Sequence, residues 1–346
     1  MVLVSLVPTV HLPDDLTAAL TRQLRTTAPT QASAQVERLI ENYRGATPTS
    51  APILRDAADV TAYAAYRMPA TYAAARSALA AFRDRAADWS PGDHLDLGGG
   101  TGAATWAVAD AWPQAGHRST VLDWSQAALT LGRALAADSG TAAVRDAEWT
   151  RAPLGGAPRL PAADLVTVSY VLGELTAAHR ADLVDAAAAA ARGAVVVAEP
   201  GTPEGYARII EARDRLTAAG LTVLAPCPHD ATCPVTGTDW CHFAARVQRT
   251  SLHRQVKGGT LPYEDEKFSY VAAARPDVVR AAPAASRVVR HPQIRKGQVL
   301  LDLCTRDDGL TRPSVTKRHG ALYRAARDAD WGDPWPPGPE DGDADV

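Results

Sequence analysis

The 346-residue chain is poor in several residue types at once, with four cysteines, two methionines, three phenylalanines and only four lysines. So few cysteines, three of them close together and none behind a secretion signal, argue against disulfides and for a metal or cluster. No run approaches about 18 uninterrupted apolar residues, which excludes a membrane-spanning helix. The opening MVLVSLVPTVHLPDD has a short apolar run but neither a basic flank nor a small-residue cleavage site, so no signal peptide is expected. No internal repeat is visible. What is present is ordinary: 46% hydrophobic residues, 22% charged, a formal charge of −3, and enough length to bury a core without staples. The length fits two structural units or one elaborated α/β domain.

The charge is unevenly spread. Arginines number 32 against the four lysines, a bias that a GC-rich coding sequence produces, so arginine abundance alone says little about nucleic acid. Position says more. Residues 245–327 hold 17 Lys and Arg against 7 Asp and Glu, a net of +10, while residues 328–346 hold 7 acids and no base. A +10 block of 83 residues is expected to face a polyanion.

Helical periodicity fills residues 1–87. Leu16, Leu20 and Leu24 recur on one face of DDLTAALTRQLR behind an acidic start. Further helices are expected from Gln31 to Tyr43, from about Arg55 to Tyr66, and from Pro69 through TYAAARSALAAFRDRAADW, with the proline in the first turn. Over residues 88–225 the rhythm becomes strand–helix alternation. HLDLGG, STVLD, AVRDAEW, ADLVTVSYVL and GAVVVAEPG read as strands, with alanine-rich helices between them. Apolar strands without polar alternation indicate a parallel sheet covered on both faces. The fold class is therefore doubly wound α/β, with its ligand beyond the strands' carboxyl ends. Residues 226–262, rich in Pro, Cys, His and Gly, read as a structured insertion rather than sheet. Over residues 263–327 strands return in KFSYVAAAR, SRVVRH and QVLLDLCT, expected to complete or extend the sheet. The acidic, proline-rich end, residues 328–346, is expected to be disordered.

The sharpest local motif is Asp96-Leu97-Gly98-Gly99-Gly100-Thr101-Gly102, closing one strand and opening a helix. Glycines let the backbone approach a ligand, and a helix N-terminus offers free N–H groups. Gly98-x-Gly100-x-x-Ala103 satisfies a dinucleotide fingerprint. Asp96-x-Gly98-x-Gly100-x-Gly102 fits S-adenosylmethionine methyltransferases. Asp96 favours the second: a carboxylate there repels a pyrophosphate but holds a cationic methionyl amine, directly or through water. Asp123 ends the next strand, where it suits the ribose hydroxyls of either cofactor. A vestigial site is the third reading, and Asp146 or Glu148 are weaker candidates near an adenine. No Asn-Pro-Pro-aromatic tetrad follows the fourth strand, where the chain reads Ser169-Tyr170-Val171-Leu172-Gly173-Glu174. A base-amino methyltransferase of that type loses support, and no catalytic residue is named; positioning alone can still drive methyl transfer.

Cys227, Cys233 and Cys241 lie in PCPHDATCPVTGTDWCHF, with five and then seven residues between them, and Cys304 ends LLDLC. Four thiolates suit zinc or an iron–sulfur cluster. Zinc knuckles pair cysteines with two to four residues between them, which neither gap matches. Flanking prolines and irregular spacing fit a [4Fe–4S] loop with a distant fourth ligand. His229 and His242 keep a zinc Cys/His site open.

On these residues the chain resembles the methyltransferase-like proteins of small-ribosomal-subunit assembly, a family with mitochondrial members. The resemblance covers about residues 55–330 and rests on AYAAYRMPATYAA at 62–74, LDLGGGTGAATWA at 95–107 and SYVLGEL at 169–175. It continues through AEPGTPEGYARIIEARDRL at 198–216 and, most specifically, APCPHDATCPVTGTDWCHFAARVQR at 225–249. EDEKFSYV at 264–271 and LDLC at 301–304 complete it.

The resemblance implies a class I methyltransferase (Rossmann-like) fold with an N-terminal helical region and a cysteine-rich cluster-binding insertion. Its carry-over reaches Gly98, Gly100, Gly102 and Asp123, which with Asp96 from the residue reading make the expected S-adenosylmethionine site. It implies a [4Fe–4S] cluster on Cys227, Cys233, Cys241 and Cys304, with zinc the alternative. The implied partner is small-subunit ribosomal RNA, met through basic residues of 245–327. Arg246, Arg249, Arg254 and Lys257 follow the cysteine loop; Lys317, Arg318, Arg324 and Arg327 follow Cys304. The cluster is expected to pin the two stretches into one phosphate-facing surface. The expected function is an S-adenosylmethionine-dependent methyltransferase acting on or binding that RNA. Its alternative is a non-catalytic iron–sulfur assembly factor on a methyltransferase scaffold. Radical S-adenosylmethionine chemistry is set aside, since it needs a tighter three-cysteine loop on a barrel. A monomeric, cytoplasmic protein of bacterial type is expected, because the N-terminus is not Arg/Ser-rich and carries Asp14 and Asp15.

Overall fold

The computed structural model describes residues 9–24, 57–249 and 261–337. The helix expected from Gln31 to Tyr43, and the basic residues Arg254 and Lys257, lie outside the described residues. A short strand β1 (Thr9–Val10) precedes helix α1 (Asp14–Leu24), whose two leading aspartates sit where the helix dipole favours negative charge. Helix α2 (Ala57–Tyr66) leads into α3 (Met68–Arg83), which opens on Pro69. That position needs no N–H, and proline's fixed φ suits it. Met68, Tyr72, Leu79 and Phe82 of α3 are fully buried, each contributing about 1.5–3 kcal/mol of burial.

From Asp93 the chain alternates: β2 (Asp93–Leu97), α4 (Ala103–Ala111), β3 (Arg118–Asp123), α5 (Gln126–Ala136), the single turn α6 (Ala142–Arg145), β4 (Glu148–Arg151), β5 (Ala163–Ser169), α7 (Ala177–Ala190), β6 (Ala191–Pro200), α8 (Pro203–Ala218) and β7 (Thr222–Ala225). Ser125, Thr176 and Thr202 cap α5, α7 and α8 with their hydroxyls, as short side-chain acceptors do. AVRDAEW is not one strand. It divides between α6, closed by the Asp146 N–H on Ala142 O, and β4.

Strands β4, β3, β2, β5 and β6 lie side by side and parallel. Two later strands, β8 (Phe243–Gln248) and β9 (Tyr263–Ala274), finish the sheet: β9 runs antiparallel to β6, and β7 and β8 share its far edge. β1 adds parallel to β8. The sheet is therefore mixed rather than wholly parallel. Along β6, Ala194, Val196 and Ala198 enter one core and Val195 and Val197 the other, the period-two signature of a sheet covered on both faces. Helices α3, α4 and α5 supply the first cover, α7 and α8 the second. Strand order reverses between β2 and β5, so the ligand crevice lies beyond their carboxyl ends.

Three expectations change. Residues 226–262 are not all loop: the chain leaves the sheet at Ala225, opposite Ala272, and re-enters at Phe243, opposite Phe268. Phe243, Ala245 and Val247 alternate inward, which makes β8 a strand.

SRVVRH and QVLLDLCT do not extend the main sheet. They belong to two small ones built from β10 (Ser286–Val288), β11 (Gln293–Arg295), β12 (Gln298–Leu300), β13 (Leu303–Thr305), β14 (Gly309–Thr311) and β15 (Ser314–Thr316), with helix α9 (Ala321–Asp328) and β16 (Pro334–Trp335). These short strands bury a core of their own, formed by Val288, Val299, Leu301, Leu303, Val315, Ala326 and Trp335.

The end of the chain is ordered at least to residue 337, against the disorder expected over 328–346. Its anchor is Trp335: β16 pairs with β10, the indole is 6% exposed, and Ser286 Oγ donates to Trp335 O at 2.6 Å. Burying one indole offsets the bias of the surrounding prolines and acids. Residues 338–346 are outside the described residues. No described helix is long and apolar enough to cross a membrane.

Candidate nucleotide pocket and four-cysteine cavity

After Leu97 the chain turns into α4 through Gly98, Gly100 and Gly102, with φ of 68°, 52° and 88°. A Cβ on Gly98 would sit 2.5 Å from Val171, and one on Gly102 2.6 Å from Trp149, so both positions require glycine on space as well as conformation. The open side of the turn faces a pocket. Asp123, Trp124 and Ser125 line it after β3, Ser169 to Val171 and Glu174 after β5, and Tyr63 of α2 stands across.

Asp96 does not line this pocket. It is fully buried beneath the turn, accepting from Thr105 Oγ1 at 2.9 Å and Thr167 Oγ1 at 2.8 Å. Burial pushes its carboxyl up to about 6, against the opposing pull of both hydroxyls. Against the expectation that Asp96 holds a methionyl amine directly or through water, both of its oxygens here accept from threonine hydroxyls. Its side chain instead ties β2, β5 and α4 together, and a Cβ on Gly99 would strike its carboxylate at 2.6 Å.

Asp123 does line the pocket. Its Oδ2 accepts from Gly100 N at 2.9 Å and its Oδ1 from Ser125 N at 2.7 Å, and burial raises its carboxyl. Glu174 faces the same space. Burial pushes it up to about 8, and the Asp123 and Glu199 carboxylates push the same way. Two acids facing one pocket repel a pyrophosphate and suit a cation. Asp123 and Glu174, not Asp96, are the carboxyl groups on the pocket wall. Sequence reasoning gave Glu174 no role. The available signal was an acid just past the end of the strand beside the switch point. Asp146 and Glu148 stay on the surface, Asp146 paired with Arg145.

The loop bearing Glu174 is clamped at both ends. Tyr170 takes a left-handed φ of 59°, unusual for a residue with a side chain. Its hydroxyl donates to Glu266 at 2.9 Å, and Arg67 grips the same carboxylate with bonds of 3.1 and 2.8 Å. Leu172 N donates to the buried Glu199, which Arg208 pairs at 2.6 Å. Such pairs hold a strained backbone because losing one partner leaves the other charge buried.

The four cysteines come together. Cys227, Cys233 and Cys241 from the loop after β7, and Cys304 from β13, line one cavity with Val235, Phe243, Tyr270 and Arg287. All four are free thiols. Tyr206 Oη lies 3.2 Å from Cys233 Sγ, and His229 Nε2 lies 3.8 Å from Cys304 Sγ. Burial pushes Cys304 up to about 12 and raises Cys227 and Cys241, so thiolates there call for a neighbouring positive charge. Among the described residues no three of His, Cys, Asp or Glu converge tightly on one point. A single zinc draws its sulfurs to about 2.3 Å, whereas a four-iron cube holds them apart on the walls of a cavity. Four thiols are a donor set that either a cluster or a zinc ion takes.

The basic block divides. Arg246 forks onto Asp265 at 2.7 and 2.8 Å and stacks over Tyr263, and Arg249 pairs with Glu264 at 3.1 Å. Lys317, Arg318, Arg324 and Arg327 stay exposed. So do Arg295 and Lys296, whose hairpin touches Lys317 through its N–H on Gly297 O.

A doubly wound sheet with a glycine turn at its switch point defines a Rossmann-like α/β protein. Residues 57–336 match the family described as mitochondrial small ribosomal subunit Rsm22, and the chain belongs to that family. It is 30% identical over 290 residues to the human protein named ribosome assembly protein METTL17, mitochondrial, covering 78% of this chain and 61% of that one. Rsm22-cox11 tandem protein 2, mitochondrial, of Schizosaccharomyces pombe is 29% identical over 184 residues, 42% of this chain and 24% of its own. The chain thus spans less than two thirds of the length of either relative. Among solved structures, an O-methyltransferase family protein from Burkholderia thailandensis is 15% identical and covers 75% of this chain and 71% of its own, at a TM-score of 0.42.

Proposed function

We propose that this protein is a methyltransferase-like factor of small-ribosomal-subunit assembly that binds S-adenosylmethionine at the glycine turn and acts on ribosomal RNA. Membership of its family and the printed role of its human relative support the assembly reading. The cofactor reading is carried by one observation: Asp123 and Glu174 face the glycine turn together. A sulfonium and an amine suit that pair, and a pyrophosphate does not. In this reading Gly98, Gly100 and Gly102 let the backbone approach the cofactor, Asp123 takes the ribose hydroxyls, and Asp96 shapes the turn from beneath. Cys227, Cys233, Cys241 and Cys304 hold a [4Fe–4S] cluster, which supplies a cross-link between the cysteine loop and the small C-terminal sheets. Lys317, Arg318, Arg324 and Arg327, with Arg295 and Lys296 beside them, meet RNA phosphates.

A specific observation favours a second reading, the non-catalytic scaffold. Both oxygens of Asp123 are already engaged by backbone N–H groups, Oδ2 by Gly100 and Oδ1 by Ser125. The test is calorimetric titration of anaerobically purified, iron-replete protein with S-adenosylmethionine and with NAD, followed by labelled-methyl transfer to small-subunit RNA. Binding and transfer establish the enzyme. Absence of S-adenosylmethionine binding leaves the scaffold, and tight NAD binding overturns the cofactor assignment.

A further inference from the structure

Arg213 of α8 and Arg287 of β10 are 1% and 3% exposed. A buried cation without a counter-charge costs several kcal/mol even after relaxation. Arg287 donates Nε to Pro226 O at 3.0 Å and Nη1 to Gly332 O at 2.8 Å; the half-buried Asp333 carboxyl feels its charge, but Arg287 is in none of the ion pairs found among the described residues. Arg213 donates Nη2 to His229 O at 2.9 Å and Ala231 O at 2.6 Å. Its carboxylate partner Asp214, at 3.1 Å, is 64% exposed and screened by water. Carbonyl oxygens orient a guanidinium; they do not neutralise it.

Both arginines converge on the thiols. Arg287 stands directly across from Cys304 in the β10–β13 pairing and lines the cavity with all four cysteines. Arg213 grips the cysteine loop itself through the His229 and Ala231 carbonyls, and its charge pulls against the burial that raises the Cys227 thiol. Four thiolates around a doubly positive iron–sulfur cube, or around zinc, leave two negative charges. Two guanidiniums balance them.

We propose that Arg213 and Arg287 are the resident counter-charges of the four-cysteine centre, and that Arg287 sets how readily that centre takes an extra electron. The inference rests on the cluster reading above. When one electron enters from dithionite, no bond forms or breaks and the cavity gains one negative charge. Arg287 offsets it, so Arg287 favours the reduced state.

The full chain is purified anaerobically, its iron and acid-labile sulfide are counted, and its reduction is followed by electron paramagnetic resonance against solution potential. Arg287→Gln with normal iron should show about a tenfold lower ratio of reduced to oxidised centre at a fixed potential, about 59 mV for a one-electron couple. Arg287→Lys, which keeps the charge, should restore it. An unshifted potential in iron-replete Arg287→Gln overturns the proposal. Should the Gln variant not load, the Lys variant decides: loading at the wild-type potential supports it, and equal failure of both overturns it. Wild-type protein holding zinc and no iron refutes the cluster reading but not the counter-charge. Zinc release to a chelator should then be faster in Arg287→Gln than in wild type or Arg287→Lys, and equal rates overturn the proposal.

Discussion

The glycine pocket and the cysteine cavity are built in opposite ways. Polar groups in and beneath the pocket satisfy one another: Gly100 N–H with Asp123 at its wall, Thr105 and Thr167 with Asp96 below the turn. The cavity draws its groups from the loop after β7, β9, β10 and β13, and it gathers four thiols and the Arg287 guanidinium with no carboxylate in its lining. The pocket therefore keeps its shape through its own hydrogen bonds, whereas the cavity's stability depends on what it holds.

The largest effect should come from replacing Cys227, Cys233, Cys241 and Cys304 together by serine. A structural metal is worth about 10 kcal/mol in small metal-dependent peptides, and here it would join the loop to β13, whose own core is small. The expected result is loss of iron, protease sensitivity over about residues 281–337, loss of RNA association, and retention of the nucleotide pocket. Unchanged protection of the C-terminal sheets in iron-free protein would show that the two regions do not differ in this way.

The converse experiment strains the pocket alone. Gly102→Val places a branched side chain at φ 88° with its Cβ 2.6 Å from Trp149, and should cost about 3 kcal/mol in urea unfolding. Gly100→Ala meets nothing nearer than Asp123 Oδ2 at 3.8 Å, so only its φ of 52° counts, about 1 kcal/mol. Iron content should be normal in both. A larger loss for Gly100→Ala than for Gly102→Val would reverse the assignment of which glycine serves packing.

How far each region was legible follows from the same contrast. The glycine turn could be read because its signal is local, strand, glycines and helix in one run of residues. Its electrostatics could not, because Asp96 points under the sheet to Thr167 while Glu174 arrives from another loop. The cysteines were legible as a set, since the whole inventory sits in two places. Arg213 and Arg287 were invisible among 32 arginines, because burial is a tertiary property. The C-terminal strands were found but misassigned: a three-residue strand says nothing about which sheet receives it. Trp335 shows the same limit, an anchor hidden in a composition that reads as disorder.

Beneath the pocket, two buried groups should give opposite pH signatures of about 3 kcal/mol or more each. His94, hydrogen-bonded to Thr167 Oγ1 at 2.8 Å, is lowered from 6.5 to about 3 by burial and by His117. Its contribution is present above pH 6.5 and lost as pH falls towards 3. Asp96 is raised from 3.8 to about 6, so its contribution is present below pH 3.8 and lost as pH rises through 6. His94→Gln should flatten the acid limb of a urea-unfolding pH profile, and Asp96→Asn should raise stability near pH 8. The cysteine cavity takes part in neither, so iron loss tracking either limb would break the separation.

The smallest effect tests the pocket's sign. Glu174 is held at about 8 by burial, with Asp123 and Glu199 adding to it. Its carboxylate form therefore grows as pH rises from 7 to 9, and a cationic ligand facing it should bind more tightly over that range. A coupling of about 1 kcal/mol gives roughly a fivefold gain for S-adenosylmethionine. S-adenosylhomocysteine lacks the sulfonium charge and should gain less. Glu174→Gln removes the titrating group without changing its size, so the preference between the two ligands should become flat with pH. A preference that still rises in the Gln variant would show that Glu174 is not the titrating group that faces the sulfonium.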